Sequence, residues 1–431
     1  MTAAFLGVAL AGVLPCQSQL TVEEAVQIAL ENAFVVRIAQ SQADEARARQ
    51  GAARGSMGPQ LSGTAQYVRL AEGVSFSTGG SGFGGSAADS KQINLVLSQL
   101  IDISGVSRNT VEAARYQRLS SEMGVEVQVN EVKNLVRAQF YQVLETRALV
   151  GVQSDELKSA RQRLANAKLK AEAGEISQFD VLRLDSDARR SEQALLDAAR
   201  NYALARQSLN NMLGRPIETE FEPLDVLDLV PVVVDVEKAV SLAQENRPEV
   251  RSGDFLVRAA DRLVEVEKGG LKPSLTFSAQ YSRAIDAAPG QTVQSLFGVL
   301  TMSFPLWDSG VTRSRTSAAR EVKEQAAIRL EQTKLGVSLE VRSALTRLLS
   351  AREAYDVAVS GLAVATEALR LAQLRFDEGA GILLDVTTAQ AESTRAHGAV
   401  VTARYQYLSA VAALQKAVGS DDLSVGSEEE V

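Results

Sequence analysis

The sequence predicts a mostly α-helical protein with a β-hairpin in each of two similar halves. Three observations predict it: a tandem duplication, two long Pro-free stretches with a seven-residue apolar period, and short segments that alternate apolar and polar residues. The duplication governs the rest, because an internal repeat fixes architecture before local propensity does. A constant offset of 214 lays Val22, Glu23, Ala25, Val26, Ala29, Glu31 and Asn32 on Val236, Glu237, Ala239, Val240, Ala243, Glu245 and Asn246. The same offset carries Gly55, Pro59, Leu61, Gln66 and Tyr67 onto Gly269, Pro273, Leu275, Gln280 and Tyr281. Beyond the first hairpin the offset becomes 205, pairing Ser104, Gly105 and Val106 with Ser309, Gly310 and Val311, and Gly174, Asp180 and Val181 with Gly379, Asp385 and Val386. The change in offset falls where the first copy has the Gly/Ser-rich run 75–86, since loop tips absorb insertions.

The elements follow in order. Each copy opens with an amphipathic helix, Val22 to about Gly55 and Val236 to about Gly270, with a break expected near Asn32 and Asn246, the latter two residues before Pro248. A strand comes next: Leu275, Phe277, Ala279 and Tyr281 share one face, Ser274, Thr276, Ser278 and Gln280 the other, and Leu61, Gly63, Ala65 and Tyr67 repeat the pattern. The second strands alternate likewise, Ile93, Leu95 and Leu97 in one and Leu300, Met302 and Phe304 in the other, giving hairpins over 60–103 and 274–306. No Pro interrupts 105–172 or 310–377, and helices of that size would be about 100 Å long. The stripe Tyr355, Ala358, Leu362, Ala365, Leu369, Ala372, Phe376 steps by threes and fours, mirrored by Val150, Gln153, Leu157, Ala160, Leu164, Ala167, Ala171. Such a period marks coiled-coil packing, and its many alanines permit close approach. Turns at Ala173–Ser177 and Gly379–Gly381 lead into return helices over 177–213 and 383–418. The repeats thus span 20–214 and 235–419, joined by a linker, 215–234, and followed by an acidic, disordered tail, 420–431.

A hairpin with one apolar face and strands of about ten residues fits a transmembrane barrel, and equally an ordinary surface hairpin. In lipid, four strands from one chain would leave two unsatisfied edges, so closure requires further copies. Three chains giving twelve strands is economical, and counting also allows two or four. Residues 1–18 carry an apolar run, too short to span a bilayer as a helix, that fits the core of a secretory signal, although the usual basic start is missing. Cys16 is a candidate for lipidation, with an atypical Pro15 before it. No later segment is expected to cross as a helix.

A net charge of −8 gives no basic footprint for nucleic acid. A single Cys excludes an intramolecular disulfide, and a single His, His397, leaves little for metal or acid–base work and is read as structural. Gly80, Gly82 and Gly85 spell G-x-G-x-x-G, but no apolar strand leads into it, so it is no nucleotide site. Phe76 and Phe83 in the same loop read as filler, and Phe304 and Trp307 as an interfacial aromatic belt. No cofactor and no catalytic constellation is expected.

Several segments together resemble the TolC family of outer-membrane efflux and secretion channels: Leu20 to Asn32, Pro59-Gln60-Leu61, Ser98 to Asp102, Gly379 with Leu384-Asp385-Val386 and Ala389-Gln390, and Ala403 to Gly419. The resemblance implies a homotrimer with a twelve-stranded β-barrel in outer-membrane lipid, continued by a twelve-helix coiled-coil α-barrel across the periplasm. It implies as partners a periplasmic adaptor and an inner-membrane pump, the channel itself hydrolysing nothing. By the same resemblance the adaptor docks on Gly174, Glu175, Ile176, Ser177, Gly379, Gly381, Ile382 and Leu383, and Asp180 and Asp385 line the pore constriction. Some members lock the tip with a Tyr, an Arg and a second Asp, where this chain has Phe376, Gly381 and Thr388. Asp180 and Asp385 also begin the return helices, where a carboxylate favours the helix dipole, and one residue can serve both roles. Gly174 and Gly379 are read as helix terminators needing positive φ. The residues by themselves leave open a periplasmic or extracellular coiled-coil scaffold or adaptor with soluble hairpins.

Overall fold

The computed structural model describes residues 19–68, 90–225, 235–288 and 291–420. Cys16, the Gly80–Gly85 motif with Phe76 and Phe83, and the acidic tail from 421 lie outside the described residues. Each copy contributes the same series. The first runs α1 (Val22–Asn32), α2 (Phe34–Gly55), β2 (Gln60–Val68), β3 (Ser90–Ile101), α3 (Val106–Glu172) and α4 (Gln178–Met212), preceded by a short β1 (Gln19–Leu20) and followed by β4 (Glu222–Pro223). The second runs α5 (Val236–Asn246), α6 (Pro248–Lys268), β5 (Ser274–Ala288), β6 (Gln291–Ser303), α7 (Val311–Asp377) and α8 (Leu383–Val418).

Helix α1 begins in a capping box: Thr21 Oγ1 accepts from the Glu24 N–H, and Glu24 Oε2 accepts from the Thr21 N–H, satisfying two otherwise orphaned donors. The break after Asn32 has no Pro in the first copy. There Ala33 turns extended, and in the second copy Arg247 does so ahead of Pro248.

Strands β2-β3-β5-β6 form one antiparallel sheet, with β2 and β6 at its edges. Both hairpins share one register, since Leu61 faces Leu97 and Leu275 faces Met302, pairs that the two offsets interconvert. Gln92 Nε2 donates to Asn94 and Ser282 on the polar face. Strand β6 ends at Ser303, so Phe304 and Trp307 follow the strand rather than close it: Pro305, which lacks an N–H, ends the ladder.

The chain divides into two compact units that cut across both repeats. The first comprises 1–38, 126–247 and 335–431; the second, 39–125 and 248–334, holds the sheet. In the first unit α1, α3, α4 and α8 bury Val26, Ala29, Phe140, Leu144, Leu209 and Tyr405 in one apolar core. The expected linker is partly built into it. Strand β4 pairs in parallel with β1, Phe221 enters the core, and Asn210 Nδ2 donates to the Ile217 and Thr219 carbonyls. Buried Arg247 pairs with Glu340, which also approaches Lys416, itself paired with Glu131 at 2.6 Å. In the second unit Tyr116 stacks on Phe255, Ser120 meets Ser252 at 2.8 Å, and Lys323 pairs with Asp261 at 2.7 Å.

The expectation that no later segment suits a helical membrane span needs correction. One 18-residue window of α7 passes by length and composition, and only 6% of it is buried. The reason is its richness in Val, Ala and Leu on a face that this chain leaves uncovered.

Candidate functional site

The two helix–helix turns are built alike and then diverge. After α3, Gly174 adopts φ 77°; its N–H donates to the Ala171 carbonyl, and the Glu175 N–H to that of Lys170. After α7, Gly379 adopts φ 72°, with N–H donation to Phe376 and from Ala380 to Arg375. This is the left-handed helix stop that glycine allows. At the next residues the copies part. Ser177 caps α4: its Oγ accepts from the Asp180 N–H at 3.2 Å, and Asp180 Oδ2 accepts from the Ser177 N–H at 3.3 Å and its hydroxyl at 2.6 Å. The equivalent cap of α8 is Ile382, with no side-chain acceptor, and the Asp385 N–H reaches only the Ile382 carbonyl, at 3.0 Å. Asp385 is exposed, and its carboxylate has no polar partner among the described residues.

The structure brings some of the expected site residues together. Ile176 and Leu383, one from each turn, pack against Ala167, Val181 and Leu184. Lys170 lies 5.4 Å from the centre of the Phe376 ring and 3.9 Å from Asp377, tying α3 to α7. Gly174, Glu175, Gly379 and Ile382 are exposed, and Gly381 is half-buried, with an added Cβ falling 3.2 Å from Arg375 Cβ and the Phe376 nitrogen. His397 is exposed on α8, without a polar partner among the described residues.

Sequence reasoning missed a polar node farther along the helices. Glu156 of α3, with a side chain 12% exposed, accepts from Gln390 Nε2 at 2.7 Å and Thr394 Oγ1 at 2.8 Å, both on α8, and pairs with Arg163 at 2.7 Å. Thr402 Oγ1 donates to Glu145, and Leu149 lies over Gly398, so α3 meets α8 along one seam. The signal was present as a second stripe, Glu145, Leu149, Glu156 and Arg163, hidden because most of its members are polar.

Comparison with known proteins agrees with this geometry. The model of the outer membrane efflux protein family matches residues 25–215 and 239–420, one match per repeat. Nodulation protein T of Rhizobium leguminosarum bv. trifolii is 25% identical over 341 residues, covering 76% of this chain and 71% of that protein. The solvent efflux pump outer membrane protein SrpC of Pseudomonas putida is 25% identical over 407 residues, covering 91% and 83%. Among solved structures, the Campylobacter jejuni CmeC outer membrane channel superposes with a TM-score of 0.78 at 19% identity, covering 94% and 88%. CusC superposes with a TM-score of 0.79 at 17% identity, covering 93% and 92%. With the duplication, the edge-to-edge four-stranded sheet and the paired turns, the chain belongs to the outer membrane efflux protein family, placed in the outer membrane with a helical extension into the periplasm.

Proposed function

We propose that three copies of this chain close into a passive exit duct, a twelve-stranded barrel continued by twelve helices, gated at the turn end. The observation that carries the reading is a seam left open at both lips. Within one chain α3 packs on α8 through Glu145, Leu149 and Glu156. The offset of 205 maps these onto Ser350, Ala354 and Gly361 of α7, all exposed, flanked by Val357 and Val364, each 71% exposed. It maps the α8 partners Gln390, Thr394 and Gly398 onto Asp185, Arg189 and Gln193 of α4, of which Arg189 and Gln193 are exposed. Quasi-equivalence therefore seats α7 of one copy on α4 of the next, and a head-to-tail contact repeated by rotation closes a ring. Sheet edges β2 and β6 pose the same demand, because no edge is left unsatisfied in lipid.

The duct serves an inner-membrane pump through a periplasmic adaptor, a role supported by the efflux relatives. The adaptor engages the turn residues Gly174, Glu175, Ile176, Ser177, Gly379, Gly381, Ile382 and Leu383, and the chain performs no catalysis. Asp385, without a polar partner among the described residues, supplies the constriction ring, joined by Asp180 from its capping box. A carboxylate ring at a narrow pore favours cations. Single-channel recording in planar bilayers tests this: Asp385→Ala weakens cation preference and raises conductance. Wild-type currents in the variant would reject the assignment, and a protein that stays soluble without detergent would favour the scaffold instead.

A further inference from the structure

A cleft of about 430 Å³ lies at the foot of the sheet. The ends of β3, β5 and β6 wall one side at Leu100, Ser274 and Ser303, and the end of α6 and the starts of α3 and α7 wall the other. The helices meet tightly there: a Cβ on Gly269 would fall 2.1 Å from Val106 Cγ2, so glycine keeps the floor open. Next in the chain after Pro305, a lining residue, come Leu306, 87% exposed, and Trp307, 84% exposed, so exposed apolar side chains follow directly on the polar hollow.

Four charged side chains line the cleft: Asp102, Glu267, Lys272 and Arg315. Asp102 accepts from the Arg108 N–H at 2.8 Å and the Ser104 hydroxyl at 3.3 Å. Lys272 Nζ donates to the Ser104 carbonyl at 3.1 Å and meets no carboxylate. Arg315 and Glu267 have no polar partner among the described residues. The cleft therefore presents two cations without carboxylate partners and one free carboxylate next to exposed apolar surface.

We propose that this cleft binds a phospholipid headgroup that joins a phosphodiester to a primary ammonium, as in phosphatidylethanolamine. The inference rests on the reading of the chain as a membrane channel, which puts Leu306 and Trp307 at the bilayer interface. Lys272 and Arg315 hold the phosphate oxygens by charge-assisted hydrogen bonds, Glu267 accepts from the ammonium, and the acyl chains lie on Leu306 and Trp307. A trimethylammonium headgroup has no N–H for Glu267. A glycerol headgroup brings it no cation.

The test reconstitutes the full chain into bilayers of phosphatidylethanolamine, phosphatidylcholine or phosphatidylglycerol and counts retained lipids by native mass spectrometry. Phosphatidylethanolamine is retained in preference to both others. The double variant Lys272→Ser, Arg315→Ser lowers that retention about tenfold, the worth of a charge-assisted hydrogen bond. Glu267→Gln removes the preference over phosphatidylcholine while leaving conductance unchanged. Equal retention of all three lipids, a preference for phosphatidylglycerol, or no response to these variants overturns the proposal. A chain that conducts yet retains no lipid defeats this inference alone, whereas one that never inserts defeats the channel reading.

Discussion

Tyr405 is 3% exposed and donates its hydroxyl to Asp225 at 3.0 Å, while Arg404 holds the other carboxylate oxygen at 3.4 Å. Burial first, and then the Asp225 bond, push the phenol pKa up. A pKa raised on folding means the contribution is complete below the unfolded value of about 10 and is lost as pH climbs above it. Thermal melts from pH 7 to 11 check this: Tyr405→Phe costs about 1 kcal/mol at neutral pH and flattens the alkaline loss. Some loss remains, because burial also raises the pKa of Tyr141. At this scale the sequence was legible where geometry demanded one residue type, as at Gly174 and Gly379. It read Asp180 and Asp385 as equals, since the difference lies in the preceding caps, Ser177 and Ile382, whose consequence shows only in hydrogen bonds.

The long helices were the most legible elements. From Arg352 to Phe376 the predicted stripe residues are the buried or half-buried ones, and every residue between them is exposed. What stayed hidden was the second face of α3, which binds α8 through carboxylates, hydroxyls and amides that apolar periodicity does not register. Glu156 is the keystone of that face. Replacing it with Ala leaves Gln390, Thr394 and Arg163 without their shared acceptor, a cost of about 1–3 kcal/mol. Amide exchange along 386–398 of α8 accelerates in Glu156→Ala, whereas Asp155→Ala, one residue away and exposed, leaves it unchanged. Equal acceleration in both would deny the seam its polar anchor.

For the whole molecule, the duplication was plain in sequence, but its spatial outcome was not, because each compact unit draws matching pieces from both copies. A long helix shared between units cannot be assigned to either by pattern alone. The assembly has a numerical test in the sheet. Leu97 of β3 faces Ala279 of β5, and the two offsets convert this pair into Met302 and Ala65. The β6 edge should therefore meet the β2 edge of a neighbouring copy with Met302 beside Ala65. Facing residues of an antiparallel pair have Cα atoms about 4.5–5.5 Å apart, within disulfide reach. In the double variant Ala65→Cys, Met302→Cys, oxidation yields a covalent ladder that stops at three chains on denaturing gels, and each single variant gives no ladder. A ladder ending at two or four changes the stoichiometry, and none at all denies the pairing.

The unequal turns have one more outcome. A hydroxyl and a carboxylate clasp the first return helix at its root, while the second starts from a bare isoleucine behind a pair of glycines. Force applied to this end meets a stiff arm and a compliant arm in every chain, so bending concentrates in the second. The two copies thus differ in fastening at one equivalent position, Ser177 against Ile382.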